Sequence, residues 1–469
     1  IKGTTLGTAT GVDGKYSLSL PDVKSITLVF SFLSMKTQEI KYTGQDTINV
    51  VMKEDLQKLE DVVVTGYLKL KKESFTGNAT TVTRDQLLKA NNKNVIAALQ
   101  AFYPSFRIKE NKLFGSDPNA LPEFTIRGEG SLGIERGLDV EKNRRTQRTA
   151  LKDNPNLPIF ILDGFEVAVQ KIYDMDMNRI ESMTILKDAA ATAMYGSRAA
   201  NGVVVVTTVP PVPGELRVSY NFTGGAEFPD LSDYNLCNAE EKLVVEKLSG
   251  KYIQEDGDAG MQLLKDLAYN DLVNEVRRGV KTDWLAQPLQ NVFNHSHSLN
   301  VSGGVESIRY GLDLNYGTHN GAMAGSYRDN AGAGLTLDYR NKGWLQIMNS
   351  VSFNVTRSQD SPYGSFDTYA KLQPYYAPYS NDGELLIRLK NDEVNPLYKA
   401  KRLGSYTGRS RLNDLTNNFS INLTILQGFT FKGQLSLTKT DSETESFRDP
   451  KDPFFSTAPT RERGVLSVS

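Results

Sequence analysis

The stretch that decides the fold is Ile180–Thr208, with the sequence IESMTILKDAAATAMYGSRAANGVVVVTT. It opens with Ile180–Leu186, an apolar run that is typical of a strand. Lys187–Tyr195 is rich in alanine and predicts a helix, and Asn201-Gly202 predicts a turn. Val203–Thr208 is dense in β-branched residues and favours a buried final strand. Strand, helix, turn and strand in this order indicate a mixed α/β domain.

The same character extends upstream over residues 74–209. Thr83–Lys89 and Val95–Leu99 have apolar residues at helical spacing. Phe124–Gly128 resembles a strand that enters a turn, and Pro158–Gly164, PIFILDG, predicts a buried strand that ends in an Asp-Gly turn. The proline-rich run that follows, Pro210–Gly214, marks a domain boundary.

Residues 1–52 predict a small antiparallel β module. Tyr16, Leu18 and Leu20 alternate with polar residues, Ile26–Phe32 is a dense apolar run, and Ile48–Met52 closes the module. We expect a β-sandwich that lacks its first strand. Residues 53–73 are charged and linker-like, and within them lies the β-prone stretch DVVVTGY.

After Leu216 the apolar residues follow a strict two-residue period. In 307–316, for example, Ile308, Tyr310 and Leu312 alternate with polar residues or glycine. Such strands have one apolar and one polar face. The same pattern occupies residues 217–223, 295–302, 331–340, 344–356, 415–425 and 429–438, and a further run starts at Val465.

The connections between these strands favour a membrane barrel over a soluble sandwich. Their lengths alternate, with long segments at 229–294, 317–330, 357–414 and 441–463 and short ones at 303–306, 341–343 and 426–428. Outer-membrane barrels have short turns at one end and long loops at the other. A barrel whose interior holds a folded domain, such as the α/β domain upstream, needs about 22 strands. We therefore expect more strands beyond Ser469 and a chain that is truncated at both ends.

Composition excludes several classes of protein. Lys and Arg number 54, and Asp and Glu number 55, so the net charge of -1 does not fit a nucleic-acid binder. One cysteine, Cys237, cannot form an internal disulfide or a thiolate cluster. No apolar stretch reaches the length of a transmembrane helix.

The sequence offers no catalytic, cofactor or metal constellation. Gly128–Gly133 matches G-x-G-x-x-G, but a loop-like charged segment follows it where a dinucleotide site needs a helix. None of His295, His297 and His319 has zinc-ligand spacing. His295 and His297 are expected on one strand face near the outer end of a barrel strand. We therefore predict no enzyme activity, no cofactor and no metal.

Three of these stretches together resemble the SusC/RagA type of TonB-linked outer-membrane proteins. DVVVTGY at Asp61–Tyr67 is similar to a TonB box, Thr76 through Gly128 to the start of a plug, and Ile180–Thr208 to the plug-closing signature. Residues 1–52 resemble a carboxypeptidase-regulatory-like domain. The fold that this resemblance implies is mixed: a small β-sandwich, an α/β plug domain and the N-terminal strands of a large, here incomplete, antiparallel transmembrane β-barrel. The expected domains are 1–52, a linker at 53–73, a plug at 74–209 and barrel strands at 215–469.

The resemblance also assigns roles to particular residues. The TonB box would be an extended peptide that pairs with a strand edge of TonB. The alternative is that it is an edge strand of the first domain. The TonB box comprises Asp61, Val62, Val63, Val64, Thr65, Gly66 and Tyr67; the plug signature comprises Arg127, Gly128, Asp163, Gly164, Lys187, Asp188, Tyr195, Gly196, Arg198, Asn201 and Gly202.

The function implied is active import across the bacterial outer membrane. Such proteins take up oligosaccharides or peptides, with energy from the TonB-ExbB-ExbD complex and with a SusD-like surface lipoprotein as a lid. A TonB-linked signalling receptor is the alternative from a second class. A soluble β protein or adhesin, which would have neither a lipid-facing apolar band nor a plug, is a third.

Overall fold

The computed structural model describes residues 1–2, 4, 6–11, 14–19, 26–31, 37–52, 62–64, 69–71, 79–90, 95–104, 106–109, 117–119, 123–125, 158–187, 195–196, 199, 201–341, 343–426 and 429–469. The chain divides into two compact units. One comprises Ile1–Val64 and Leu68–Thr76, and the other comprises Thr65–Tyr67 and Gly77–Ser469.

The described residues of the first unit form two antiparallel pairs of strands. The apolar run ITLVF forms β1 (Ile26–Phe30), which pairs with β2 (Gln38–Tyr42). The prediction of strands at residues 16–20 and 48–52 is wrong, because residues 16–19 and 48–52 form no strand. A side-chain contact replaces the strand ladder there, since the Tyr16 hydroxyl donates to the carbonyl of Ile48 at 2.9 Å. The second pair is β3 (Val62–Val64) with β4 (Lys69–Lys71).

The α/β domain runs from β5 to β11 in the second unit. Its five-stranded sheet has the order β5-β10-β11-β8-β9, so β5, the strand nearest the N-terminus, is an edge strand. A small pair, β6 with β7, lies outside that sheet. The elements are β5 (Ala79–Thr83), α1 (Arg84–Ala90), α2 (Val95–Phe102), β6 (Arg107–Lys109), β7 (Glu123–Thr125), β8 (Ile159–Leu162), β9 (Phe165–Val167), α3 (Val169–Tyr173), β10 (Ile180–Leu186) and β11 (Val203–Thr208).

This domain has a hydrophobic core of the kind found in domains that fold in water. Ile96, Leu99, Ile172, Met183 and Val204 are each 0% exposed and belong to one cluster between the helices and the sheet. The two helices and the strands predicted at 158–164, 180–186 and 203–208 are present. The helix predicted over 187–195 lies mostly outside the described residues, as does the segment 126–128.

Eight antiparallel strands form the large sheet, and each strand pairs with its neighbours in chain order. All the strands predicted after Leu216 are present, and most are longer than their apolar pattern. They are β12 (Gly214–Glu227), β13 (Val292–Gly304), β14 (Ile308–Asn320), β15 (Tyr327–Asn341), β16 (Leu345–Gln359), β17 (Tyr406–Leu426), β18 (Phe429–Arg448) and β19 (Val465–Val468).

Connections at one end of the large sheet are short and those at the other end are mostly long. The segments 305–307, 342–344 and 427–428 are the short ones. One prediction is wrong, because the long loop expected at 317–330 is only residues 321–326, and its flanks continue β14 and β15. The long loops contain helices that the sequence reading missed: α4 (Ala239–Leu248), α5 (Ala259–Arg277), α6 (Phe366–Ala370) and α7 (Pro396–Arg402).

The large sheet exposes the side chains of its apolar face and buries those of its polar face. The apolar face carries exposed residues such as Val218, Leu312, Leu335, Phe353 and Leu415, which are 37–62% exposed. The polar face carries buried Ser298, Arg328, Asp338 and Thr416, which are 1–6% exposed, together with Asp313. A sheet that exposes its apolar side chains is expected where lipid replaces water. None of the described helices has the length and apolar composition needed to cross a membrane.

Candidate functional site

The α/β domain lies against the polar face of the large sheet. Its main contact is an ion pair in which Arg328 of β15 donates to both carboxylate oxygens of Asp174, from Nε at 2.8 Å and from an η nitrogen at 2.5 Å. The Arg328 side chain is 2% exposed and that of Asp174 is 14% exposed. A bidentate pair with so little exposure fixes the register of the two surfaces, because breaking it would leave the buried Arg328 charge without this partner.

Two further ion pairs extend this contact across the sheet. The Lys171 ammonium donates to Asp414 at 2.8 Å and to the Thr416 hydroxyl at 2.6 Å, both on β17. Arg179 lies 3.7 Å from Asp313 on β14. The three charged residues of the α/β domain therefore lie within nine residues of the chain and reach three strands. We call Lys171–Arg179 the docking segment.

A cavity of about 120 Å³ separates part of the docking segment from the sheet. Its floor is residues 173–178, and its walls are the ends of β12 to β15 next to the long loops. Asp176 shapes the floor, because its Oδ1 accepts from the backbone nitrogen of Asn178 at 3.0 Å and caps a short 3-10 turn.

The long loops form a packed structure of their own. The Glu246 carboxylate of α4 accepts from the Tyr252 hydroxyl at 2.8 Å and from the Tyr375 hydroxyl at 3.0 Å, and Lys251 lies 2.9 Å away. Burial raises the pKa of Glu246, but the hydrogen bonds from Lys251, Tyr252 and Tyr375 outweigh it and hold the pKa below its ordinary value. Burial also raises the pKa of Tyr375, so it stays a donor.

A small hydrophobic cluster holds the same loops together. Trp284 donates through Nε1 to the carbonyl of Gln373 at 2.9 Å. Trp284 and Tyr369 are both buried, with Leu397 at 0% exposure beside them. The loops are therefore a scaffold with its own core rather than a set of independent segments.

Most of the described plug-signature residues lie in turns, where they determine the backbone conformation. Asp163 and Gly164 have φ of 50° and 91° and form the tight turn between β8 and β9, the conformation that favours Asp-Gly. Asp163 also accepts from the Thr208 nitrogen at 2.9 Å and the Thr208 hydroxyl at 2.7 Å, which ties the turn to the end of β11.

Other signature residues lie on the way into β11. Gly196 and Gly202 have φ of 70° and 99°, in the left-handed region. The Gly202 carbonyl accepts from the nitrogen of Ile159 at 3.2 Å, so this turn is joined to β8. Lys187, Tyr195 and Asn201 are described as well and make interactions of their own. Arg127, Gly128, Asp188 and Arg198 lie outside the described residues.

Only the middle of the predicted TonB box is described. Val62, Val63 and Val64 form β3, and Val63 lies opposite Leu70 of β4. Within the described residues β3 pairs only with β4. Asp61 and Thr65–Tyr67 lie outside the described residues, as do the G-x-G-x-x-G stretch and the charged insert at 134–157.

The histidines do not form a metal centre in the described part of the chain, where no three acidic, histidine or cysteine side chains gather around one point. His295 and His297 share the apolar face of β13 near the long-loop end. The Tyr220 hydroxyl lies 2.6 Å from Nδ1 of His297, and the Phe222 and Tyr316 rings are close by. His319 lies on the polar face, opposite Arg328.

Sequence reasoning missed the docking segment. Its signal was present, because Asp313, Arg328 and Asp414 are charged residues at polar-face positions of otherwise apolar-alternating strands. A charge in that position needs a partner across the interface, but the sequence does not say which.

Two family models match the chain, and each covers one part of it. The model described as TonB-dependent Receptor Plug Domain matches residues 71–203, which include the docking segment. The model described as CarboxypepD_reg-like domain matches residues 1–64.

Relatives match over most of the chain. TonB-dependent receptor SusC of Bacteroides thetaiotaomicron is 28% identical over 420 residues, which is 87% of this chain and 35% of that protein. TonB-dependent receptor P3 of Formosa agariphila is 27% identical over 85% of this chain and 36% of its own length. The chain therefore spans about a third of the length of these relatives.

A solved structure has the same fold. The RagAB peptide importer in its open-open state matches with a TM-score of 0.62 and 22% identity, over 84% of this chain and 44% of that chain. The match includes both the α/β domain and the large sheet, because it covers more of the chain than either alone.

Proposed function

We propose that this chain, which is a SusC/RagA-type TonB-dependent receptor of the bacterial outer membrane, takes part in the energised import of nutrients through a pore that its α/β domain closes. One observation carries the proposal. Three ion pairs hold the α/β domain on the polar face of the large sheet, while the opposite face exposes apolar side chains. A polar interior filled by a separate domain is the arrangement of a plugged channel.

The topology of the plug suggests how pulling would open it. β5 is the edge strand of the five-stranded sheet, and it is the first strand of that sheet after the proposed TonB box. Among the described residues it pairs with β10 only, over Ala79–Thr83, so force applied upstream reaches this pair first. The docking segment joins β9, at the other edge, to β10, so its ion pairs hold the β10 side of this pair on the large sheet. We infer that β5 leaves while the docking segment stays on the sheet.

The TonB box is proposed at Asp61–Tyr67, with the TonB-ExbB-ExbD complex as its partner. An extended peptide binds a sheet edge through main-chain hydrogen bonds, and a β-branched run such as Val62–Val64 favours that conformation. We keep the proposed domains at 1–52, 53–73, 74–209 and 215–469, and the plug-signature residues named above as the framework of the plug.

A SusD-like surface lipoprotein is the proposed partner at the long loops, and oligosaccharides or peptides are the proposed cargo. The loop helices α4 and α5 also carry exposed apolar side chains, and a patch of exposed apolar side chains is typical of a protein interface. The patch comprises Val244, Val245, Leu248, Leu263, Leu264 and Leu267, which are 50–83% exposed.

The test is a pair of proline substitutions in the full-length protein, expressed in the outer membrane with its partner. Val63→Pro removes a backbone donor from the proposed TonB box, whereas Leu70→Pro breaks the same β3–β4 pair from its other strand. We expect uptake of cargo to be lost with Val63→Pro and retained with Leu70→Pro, while cargo binding is unchanged in both. Normal uptake by Val63→Pro would overturn the proposal.

A further inference from the structure

Two arginines lie side by side on the apolar, outward face of the large sheet. Arg357 of β16 and Arg411 of β17 are directly opposite each other in the strand ladder, and both are exposed. Phe353 and Leu415 form another opposite pair on the same face, since side chains alternate between the two faces of a strand. They are 46% and 45% exposed. The two guanidinium groups therefore lie where the apolar face ends, toward the long loops.

The two arginine charges repel each other in this position. Like charges that are directly opposite in neighbouring strands destabilise a sheet. Each arginine has a carboxylate on its other side, Asp329 of β15 next to Arg357 and Glu443 of β18 next to Arg411. Among the described residues, however, neither arginine makes an ion pair, and Arg411 donates through Nε to Asn413 Oδ1 at 3.3 Å. Most donors of both guanidinium groups therefore remain unused, and they point away from the protein.

The arginines lie at the level where the headgroups of lipids are expected. The apolar band of a membrane barrel is flanked at each interface by a girdle of aromatic residues. On this face, Asp329 is in the same row as Arg357. Tyr316 of β14 lies opposite Ala331, one position before that row, and Tyr327 of β15 lies one position beyond it. Tyrosines on both sides of the row are typical of the boundary between hydrocarbon and headgroups.

A shallow groove runs along β15 from this row toward the middle of the apolar face. Its floor is Ala331 and Ala333, the next two residues of β15 on this face after Asp329. Neighbouring strands are about 4.8 Å apart, so the walls of the groove, one strand away on each side, are about 10 Å apart. Larger side chains on β14 and β16 form these walls: Leu314, Tyr316, Phe353 and Val355. An extended hydrocarbon chain fits such a groove, with its polar end beside Arg357.

We propose that Arg357 and Arg411 bind the phosphate group of an outer-leaflet lipid and that one acyl chain of this lipid lies in the alanine groove. A guanidinium group binds phosphate through paired donors, and a phosphate between two guanidinium groups offsets their repulsion. A lipid phosphate is favoured over a free one because the arginines adjoin an apolar face. The site serves neither cargo nor energy transfer, so it rests only on the outer-membrane location of the chain.

The test measures lipid binding to the purified full-length protein in detergent by native mass spectrometry. The probes are lipid A, a diphosphorylated glycolipid, and the same molecule after both phosphates have been removed. Arg357→Gln/Arg411→Gln removes both proposed phosphate ligands. Asp329→Asn removes a neighbouring negative charge. Arg388→Gln is the matched control, because it removes an arginine charge from a long loop, where Arg388 pairs with Asp392 at 3.5 Å.

The two charge changes are expected to act in opposite directions. We expect the Kd for lipid A to rise by about tenfold or more in Arg357→Gln/Arg411→Gln, to fall in Asp329→Asn and to be unchanged in Arg388→Gln. Removing the phosphates is expected to weaken binding to the unmodified protein by a similar factor. Ala333→Phe, which fills the groove, is expected to raise the Kd for both lipids.

Four results would overturn the inference. They are equal binding of the two lipids, an unchanged Kd in the double arginine variant, an unchanged Kd in Ala333→Phe, and competition by millimolar inorganic phosphate, which would indicate a site for free anions. The same spectra count the chains in each particle. If the double arginine variant changed that number and not the Kd for lipid A, the arginines would contact another protein instead of a lipid. Uptake of cargo is a separate measurement, so a failure of the import proposal would leave this site standing.

Discussion

The α/β domain and the large sheet of this chain bury opposite kinds of side chain. The α/β domain buries apolar residues such as Leu99 and Met183 in its core, as expected in water. The large sheet exposes Leu335 and Phe353 and buries Arg328. The same hydrophobic effect produces both, because lipid and not water lies against the outside of the sheet. Among the described residues, the contact between the two regions includes three ion pairs.

The largest effect is expected at the polar contact itself. Arg328→Leu leaves the Asp174 carboxylate buried without a partner, and breaking such a pair costs about 3–5 kcal/mol. We expect the plug of the full-length protein to become sensitive to protease in detergent. The control is the double variant Asp174→Leu/Arg328→Leu, which removes both charges and is expected to restore most of the resistance. Equal sensitivity of the two variants would contradict the role of the pair.

A smaller side chain is expected to destabilise the hydrophobic core of the α/β domain but not the apolar face of the large sheet. Leu99→Ala, at 0% exposure, leaves a cavity and is expected to lower the free energy of unfolding of the plug by about 2–5 kcal/mol. Leu337→Ala, at 47% exposure on the apolar face, removes contacts with lipid only. Denaturant unfolding of the full-length protein in lipid measures both, and a loss of similar size in both would show that the two regions do not differ in this way.

A charge on the apolar face tests whether lipid covers it. Leu335 lies at the middle of β15, so Leu335→Arg places a cation near the centre of the bilayer and is expected to cost about 2–4 kcal/mol. In a soluble protein the same change at an exposed position would cost less than about 0.5 kcal/mol. Thr336→Arg, one residue along on the polar face, is the control. A negligible change for Leu335→Arg would indicate that water covers that face.

The smallest effect is expected in the loop scaffold, and it depends on pH. The pKa of Glu246 is lowered in the folded loops, so its stabilising contribution is complete above the ordinary pKa of 4.5 and is lost as pH falls through the lower folded value. We expect loop resistance to an acid protease to fall below pH 4.5. Glu246→Gln is expected to remove this pH dependence, and an unchanged profile would contradict the assignment.

The structure was predicted correctly where the spacing of apolar side chains along the chain is enough to determine it. The strands from β12 to β18 follow a two-residue period, and the run Val203–Thr208 has the β-branched residues of a buried strand. The fold class is confirmed for the plug and for the incomplete antiparallel barrel sheet. The loop at 321–326 was overestimated, because Thr318 and Asp329 are polar residues at apolar-face positions, while the ladder continues through backbone bonds.

Contacts between distant segments could not be predicted in the same way. The pairing of Asp174 with Arg328 joins residues 154 positions apart, and Glu246 meets Tyr375 across 129 positions. Nothing in the local pattern distinguishes these charges from solvated ones. The helices α4 and α5 were missed because Val244, Leu263 and Leu264 lie on exposed surfaces, which blurs the helical period of the apolar residues.

The central claim is that the plug closes a pore and that β5 must leave β10 before cargo passes. Thr81 and Thr184 lie opposite each other in that pair, with their hydroxyl oxygens 3.0 Å apart. Thr81→Cys/Thr184→Cys in a Cys237→Ser background would join the two strands by a disulfide. The most direct measurement is cargo uptake by cells that carry this full-length variant, before and after a reductant. We predict that uptake is lost in the oxidised protein and returns on reduction; full uptake with the disulfide intact would contradict the account.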